Sequence, residues 1–332
     1  MKRLAFASAA ATAILLVLGG TPAQAAQTRS LPAGNAYFAF DCPGGGSGVG
    51  EMATFDVLTS IGTIVGSNTP TPNTDCASQA AYDAVSDSIY WVSWGATETL
   101  MKADVTTGES VEVGPFSASG GANSIAIDDQ GNAFAIVEAD TDHPTPTGEK
   151  LYSLDLTTGD MTFIAGLGGG VGAYGSACVF SFAFNPKDKQ FYINCDSLSY
   201  EISTVDVTNG DVALACDFSA DPGTNVLGIS FDTNGIGWTA DGGYSNIASF
   251  DVTQASCGWE GGDTISVDGT GWYTVSNAIT YSATPPPGPT PDNLPSTGAS
   301  QGTAIASGVA AGVAFALAAG VFLMRRSLRK KS

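Results

Sequence analysis

Five short stretches decide the fold: Thr54-Phe55-Asp56-Val57, Lys102-Ala103-Asp104-Val105, Ser153-Leu154-Asp155-Leu156, Thr204-Val205-Asp206-Val207 and Ser249-Phe250-Asp251-Val252. In each, an apolar run ends on an Asp that opens a polar segment. The Asp residues follow one another at 48, 51, 51 and 45 residues. A strand-rich unit recurring every ~40–50 residues is the pattern of a β-propeller, because each unit is a small sheet that buries its faces only against its neighbours.

Working outward, each unit reads as four strands. The first is seen in 123–127, Ser181–Phe184 and Leu227–Phe231, and the second in Ala133–Ile136 and Phe191–Ile193. The third ends at the aligned Asp. The fourth follows Thr157-Thr158-Gly159 or Thr208-Asn209-Gly210, where Gly supplies a left-handed residue and the Asp side chain caps the turn. The repeated Asp is therefore read as turn chemistry. The chain's first strands, Ala36–Phe40 and Met52–Val57, look like a second and a third strand with no first before them. A surplus first-type strand, Asn277–Tyr281, ends the region. It is expected to complete the opening unit and close the ring. The prediction is an all-β, five-bladed β-propeller over 34–282, with six blades as the alternative if the stretch Gly261–Thr270 is more than the fourth strand of unit five.

The ends read differently. Lys2 and Arg3, the apolar run Leu4–Leu18 and Ala23-Gln24-Ala25 form a signal peptide over 1–25. After the propeller, Pro285-Pro286-Pro287-Gly288-Pro289-Thr290-Pro291 marks a linker over 283–293, extended at roughly 3.1 Å per residue and so a tether of about 30 Å. Then come Leu294-Pro295-Ser296-Thr297-Gly298, an uncharged run over 303–324 long enough for a transmembrane helix, and a basic tail over 325–332.

That order of motif, apolar helix and cations resembles the sorting signal of LPXTG-type, sortase-anchored cell-wall surface proteins of Gram-positive bacteria. The resemblance implies that a sortase attacks the Thr297 carbonyl, releases Gly298 onward, and joins Thr297 to peptidoglycan. Leu294, Pro295 and Ser296 would then be recognition residues. The implied location is the cell wall, with the precursor held in the plasma membrane.

The chain of 332 residues has a formal net charge of −20 and a pI near 4.1. Seven of its 12 cations lie in the two end signals, so the stretch 26–297 holds five cations against all 32 acids, a net charge near −27. Such a surface cannot displace counterions from phosphates, which excludes nucleic acid as a partner.

Six Cys lie in the exported part: Cys42, Cys76, Cys178, Cys195, Cys216 and Cys257. An even count outside the cell favours disulfides. A hairpin turning at Asn185–Lys189 sets Phe184 opposite Gln190, which places Cys178 nearly opposite Cys195 and makes them the leading pair. Cys42–Cys76 and Cys216–Cys257 follow as the remainder. No C-x-x-C occurs, so neither a zinc ribbon nor a thioredoxin-type site is indicated.

The lone His143 sits in a Pro-bearing loop and reads as solvated. Glu138, Asp140 and Asp142 alternate in that loop and are the candidate ligands for calcium, against the default of a solvated acidic loop. Asp83, Asp128 and Asp232 are the acids nearest the first strands, which line a propeller's channel. The function expected is a protein- or glycan-binding interaction module with no catalytic residues. The alternatives are a wall-associated glycoside hydrolase using loop carboxylates, which requires two converging acids, or a structural wall protein.

Overall fold

The computed structural model describes residues 29–40, 52–65, 77–93, 98–118, 121–137, 148–168, 181–194, 201–218, 226–241, 246–261, 265–267, 270–271 and 276–281. Cys42, Cys76, Cys178, Cys195, the loop carrying Glu138, Asp140, Asp142 and His143, the segment 1–25, and everything from 282 onward, including Leu294–Gly298 and 303–324, lie outside the described residues. Among the described residues, no helix is long and apolar enough to cross a membrane.

Five sheets are arranged as blades, antiparallel but for one short parallel pairing at the edge of the first. The first contains β1 (Asn35–Phe40), β2 (Met52–Asp56) and β3 (Ile61–Ile64). The second runs β4 (Ala77–Asp83), β5 (Ser88–Ser93), β6 (Thr99–Asp104) and β7 (Ser110–Pro115). The third runs β8 (Ser124–Ile127), β9 (Ala133–Val137), β10 (Lys150–Leu154) and β11 (Met161–Gly166). The fourth runs β12 (Ser181–Asn185), β13 (Gln190–Asn194), β14 (Glu201–Val205) and β15 (Val212–Asp217). The fifth has β16 (Val226–Phe231), β17 (Gly237–Asp241) and β18 (Asn246–Phe250). The short β19 (Ser266–Val267) and β20 (Thr270–Gly271) come next, and β21 (Asn277–Tyr281) is last.

The ring closes as the surplus strand implied. β21 pairs antiparallel with β1, from Asn35 opposite Tyr281 to Ala39 opposite Asn277, and becomes the innermost strand of the first blade. β21, β4, β8, β12 and β16 contact one another in turn around the axis. A closed ring leaves no inner sheet edge for foreign pairing and ties the ends of the domain together.

The apolar core is four slabs between neighbouring sheets. One joins the first blade to the second and fifth through Phe40, Phe55, Trp91 and Trp238. The others join blades two and three, three and four, and four and five. Each inner sheet is covered on both faces, which is why β5, Ser-Ile-Tyr-Trp-Val-Ser, is buried at every position. The outer β7 and β15 expose neighbouring pairs, Val111-Glu112 and Ala213-Leu214.

Two expectations are corrected. The stretch around Gly261–Thr270 is neither a sixth blade nor the fourth strand of the fifth. β19 adds in parallel to β3, Ser266 opposite Ile61, and extends the outer edge of the first blade. The fourth strand of the fifth blade is reduced to a bridge between Ser249 and Glu260. The hairpin of blade four pairs Phe184 with Phe191 and Asn185 with Gln190, one residue away from the expected register. Asn185 stays in the ladder and Lys189, with φ of 63°, closes a shorter turn. Of the three expected disulfides, the one whose cysteines lie among the described residues, Cys216–Cys257, is formed and links the outer strand of blade four to the turn of blade five.

Candidate functional site: the channel mouth at the turn end

The site grows out of the turns. In a four-strand meander, the first–second and third–fourth turns fall at the same end of the blade. Both use side-chain acceptors. At the third–fourth turns, Asp56 accepts from the Leu58 amide at 2.8 Å and Asp104 from the Thr106 and Thr107 amides. Asp155, Asp206 and Asp251 each accept from the amide and hydroxyl of the Thr two residues on, the hydroxyl at 2.6 Å. The repeated Asp is thus a turn cap, as its place in the sequence indicated.

At the first–second turns the same chemistry recurs one ring further in. Asp83 accepts from the Val85 and Ser86 amides and the Ser86 hydroxyl. Asp128 accepts from the Gln130 and Asn132 amides and the Asn132 side chain. Asn185 accepts from the Lys187 amide. Asp232 accepts from the Asn234 and Ile236 amides and, at 3.0 Å, from the buried Trp238 indole. Burial pushes the Asp232 carboxyl above the ordinary range despite these donors.

Immediately before each of these residues stands the last side chain of an inner strand: Tyr82, Ile127, Phe184 and Phe231, with Tyr281 filling the fifth place. These five, with Ala81, Ala183 and Ser230, line a solvent-open cup of about 320 Å³ at the end of the channel. The volume a water molecule can reach in it is about 30 Å³, room for roughly two waters. Tyr82 and Tyr281 meet edge to face at 5.4 Å. The Tyr82 hydroxyl donates to Asp87 at 2.7 Å. Ser230 is 7% exposed, and its hydroxyl has no partner.

Charge surrounds this apolar cup. Burial raises the Tyr281 phenol above its usual value, and the carboxylates of Asp129, Asp128 and Asp83 raise it further. Asp129 takes the ammonium of Lys189, reaching from the adjacent blade. Burial works against the Asp129 carboxylate, but the bonds from Lys189 and Gln130 outweigh it and hold the carboxyl below the ordinary range. The Lys189 ammonium also lies 5.9 Å from the centre of the Phe184 ring.

Next to the cup, buried Gln79 of β4 crosses the channel. Its amide donates across the axis to the Ile229 carbonyl of β16 at 2.8 Å.

Among the described residues, no group of three His, Cys, Asp or Glu side chains is placed to hold a metal ion. Asp83, Asp128 and Asp232, the acids nearest the channel, are each spoken for by turn donors. The five mouth residues were not singled out in the sequence, because strand ends rich in Tyr, Phe and Ile read as ordinary core. Four of them share a signal, an apolar residue directly before a turn-opening Asx, while Tyr281 precedes Ser282.

No protein-family model matches this chain, and no curated protein matches it in sequence. Among solved structures, a protein of unknown function from Bacteroides thetaiotaomicron VPI-5482 is similar at 13% identity and a TM-score of 0.48, over 79% of this chain and 66% of that one. The chain thus spans just under two thirds of that protein's length. TolB from Acinetobacter baumannii is similar at 13% identity and a TM-score of 0.46, over 75% of this chain and 68% of TolB. A protein of unknown function from Bacteroides caccae is similar at 14% identity and a TM-score of 0.41, over 72% of this chain and 77% of that one. Likenesses of this degree carry no statement about ligand or activity. The blades themselves define the fold: five sheets in a closed ring.

Proposed function

We propose that this protein is a non-hydrolytic binding module displayed on a cell wall, with its ligand seated at the turn end of the propeller. One observation carries the reading. The carboxylates nearest the channel are consumed as turn acceptors, while the mouth they surround is apolar and aromatic. A retaining or inverting glycosidase needs two carboxyl groups free to face one bond, about 5–10 Å apart, and a subsite for a sugar ring. A binding surface needs neither, and apolar anchors within a polar rim suit it.

The display part rests on the sequence: Leu294-Pro295-Ser296-Thr297-Gly298 before an apolar run and a basic tail, in a chain opening with an export signal. Sortase would be the processing partner, with peptidoglycan the covalent partner through Thr297. The ligand would be a surface protein or glycan. Fractionation of cells tests the display. Thr297→Ala is expected to move the protein from the wall fraction to the membrane fraction. Wall linkage that survives Thr297→Ala would overturn the sorting role. Release of sugar from wall polysaccharide by the purified protein, lost in Asp128→Asn, would overturn the binding role.

A further inference from the structure

We infer that Asn234 is a modification site at which the protein ages: its side-chain amide is lost to attack by the Gly235 nitrogen, and the isoaspartate that follows loosens the turn where blades four, five and one meet. This goes beyond the binding reading and does not depend on it.

The sequence holds two Asn-Gly pairs, Asn209-Gly210 and Asn234-Gly235. Both lie in turns, and the turns match closely. Each Asn is exposed and each Gly is buried. Each Gly is left-handed, with φ of 79° and 77°. Each Gly amide donates to the carbonyl of the Asp that opens its turn, at 2.8 Å for Gly210 and 2.9 Å for Gly235. The Asn side chains differ. Asn209 accepts from the Asp211 amide at 2.8 Å and donates to the Asp211 carboxylate at 2.9 Å. The side-chain amide of Asn234 bonds to nothing among the described residues.

In an Asn-Gly pair, no side chain on the Gly hinders the approach of its nitrogen to the Asn side-chain carbonyl. The Gly235 nitrogen attacks Cγ of Asn234. The new nitrogen–Cγ bond forms, the bond from Cγ to Nδ2 breaks, and Nδ2 leaves as ammonia with the Gly235 amide proton. A five-membered imide remains, and water opens it. Addition at Cγ gives Asp. Addition at the main-chain carbonyl gives isoaspartate, whose backbone runs through the side chain and is longer by a methylene. Releasing the Gly amide costs both turns alike. Asn209 must also give up its two bonds to Asp211, which makes it the slower site.

The turn at Asn234 is a junction. Asp232 accepts from the Asn234 and Ile236 amides and from the Trp238 indole. The Thr233 amide donates to the Asn35 side chain of blade one at 3.0 Å, and the Thr233 hydroxyl accepts from it at 3.2 Å. The Lys187 side chain of blade four lies against Gly235. A longer backbone between residues 234 and 235 moves these partners apart, and the carboxylate gained stands beside Asp232.

The test keeps the full chain, in a neutral detergent, in warm and mildly alkaline buffer for days. Peptide mass mapping then reads the mass gained where an amide has become a carboxyl. In the folded protein Asn234 is expected to convert about tenfold faster than Asn209. In denaturant the two are expected to agree within about twofold, because the turn bonds are gone. Asp211→Ala removes one of the two bonds on Asn209 and is expected to speed its conversion about threefold. Hydrogen exchange at 233–236 is expected to quicken as Asn234 converts, and to stay unchanged in Asn234→Gln kept in the same way. Equal conversion of Asn209 and Asn234 in the folded chain would overturn the inference. So would a folded chain in which neither converts while the denatured chain converts both. Conversion of Asn234 with exchange at 233–236 unchanged would overturn the loosening of the turn.

Discussion

Asp at the end of a strand serves folding here, and only through folding does it shape the turn end of the ring. Asp104 is held below the ordinary carboxylate range chiefly by the Thr107 amide, Asp155 by the Thr157 hydroxyl and Asp206 by the Thr208 hydroxyl. In Asp251 burial pulls the other way, and the bonds from Thr253 and Gln254 outweigh it. A carboxyl whose folded value is depressed adds stability that is present above its unfolded value near 3.8 and is lost as pH falls through the folded value. Asp232, raised by burial, runs in the opposite sense. With four capped turns against one, the denaturant midpoint is expected to hold steady from about pH 7 to 5 and to drop below about pH 4. A midpoint that rises on acidification would contradict the capping role. The residue-level reading of these Asp positions was legible because one short side chain at a fixed place in each repeat has a local cause. Tyr82 and Tyr281 were not legible as a site, because only ring closure brings residues 199 positions apart into edge-to-face contact.

At the scale of elements, one device recurs at every blade boundary. Each third–fourth turn carries a left-handed residue, at Ser60, Gly108, Gly159, Gly210 and Cys257. Three of these glycines press on the preceding blade: Gly108 against the Val65 carbonyl, Gly159 against the Gly114 and Pro115 carbonyls, and Gly210 against the Gly166 carbonyl. At the boundary of blades four and five the latch is covalent, through Cys216–Cys257, beside the Asp217 amide donating to the Ala255 carbonyl. At the boundary of blades five and one, the Ser266 amide donates to the Ser60 carbonyl and starts the parallel pairing of β19 with β3.

Gly159→Ala puts a methyl group 2.9 Å from the Pro115 oxygen at φ of +83° and is expected to cost about 1–3 kcal/mol. Replacing Cys216 and Cys257 by Ala opens a link between residues 41 apart and is expected to cost about 2–4 kcal/mol. Denaturant unfolding measures both, and a change within about 0.5 kcal/mol in either would remove that contact from the latch. Inner strands were legible because burial on both faces writes continuous apolar runs. The β19–β3 pairing was not, since a two-residue strand carries no periodicity, and a hairpin register is set by the backbone angle of one residue, Lys189.

For the whole molecule, topology turns a local habit into a global asymmetry. Antiparallel meanders send both Asx-capped turns of blades two to five to one end, the end of the aromatic mouth. The net charge near −27 of the stretch 26–297 was legible from composition, but the gathering of the turn-capping Asp residues at one end was not. It required the order of strands in space. The proposal's central claim is that a partner sits at the turn end and not at the opposite end of the ring. Hydrogen–deuterium exchange of the full chain with and without decalysine, whose charge is opposite to that of the stretch 26–297, tests it most directly. The account predicts protection confined to the inner turns at 83–88, 128–132, 185–190 and 232–236. Protection on the opposite end, around the start of β12 at Ser181, with those turns unchanged, would contradict it.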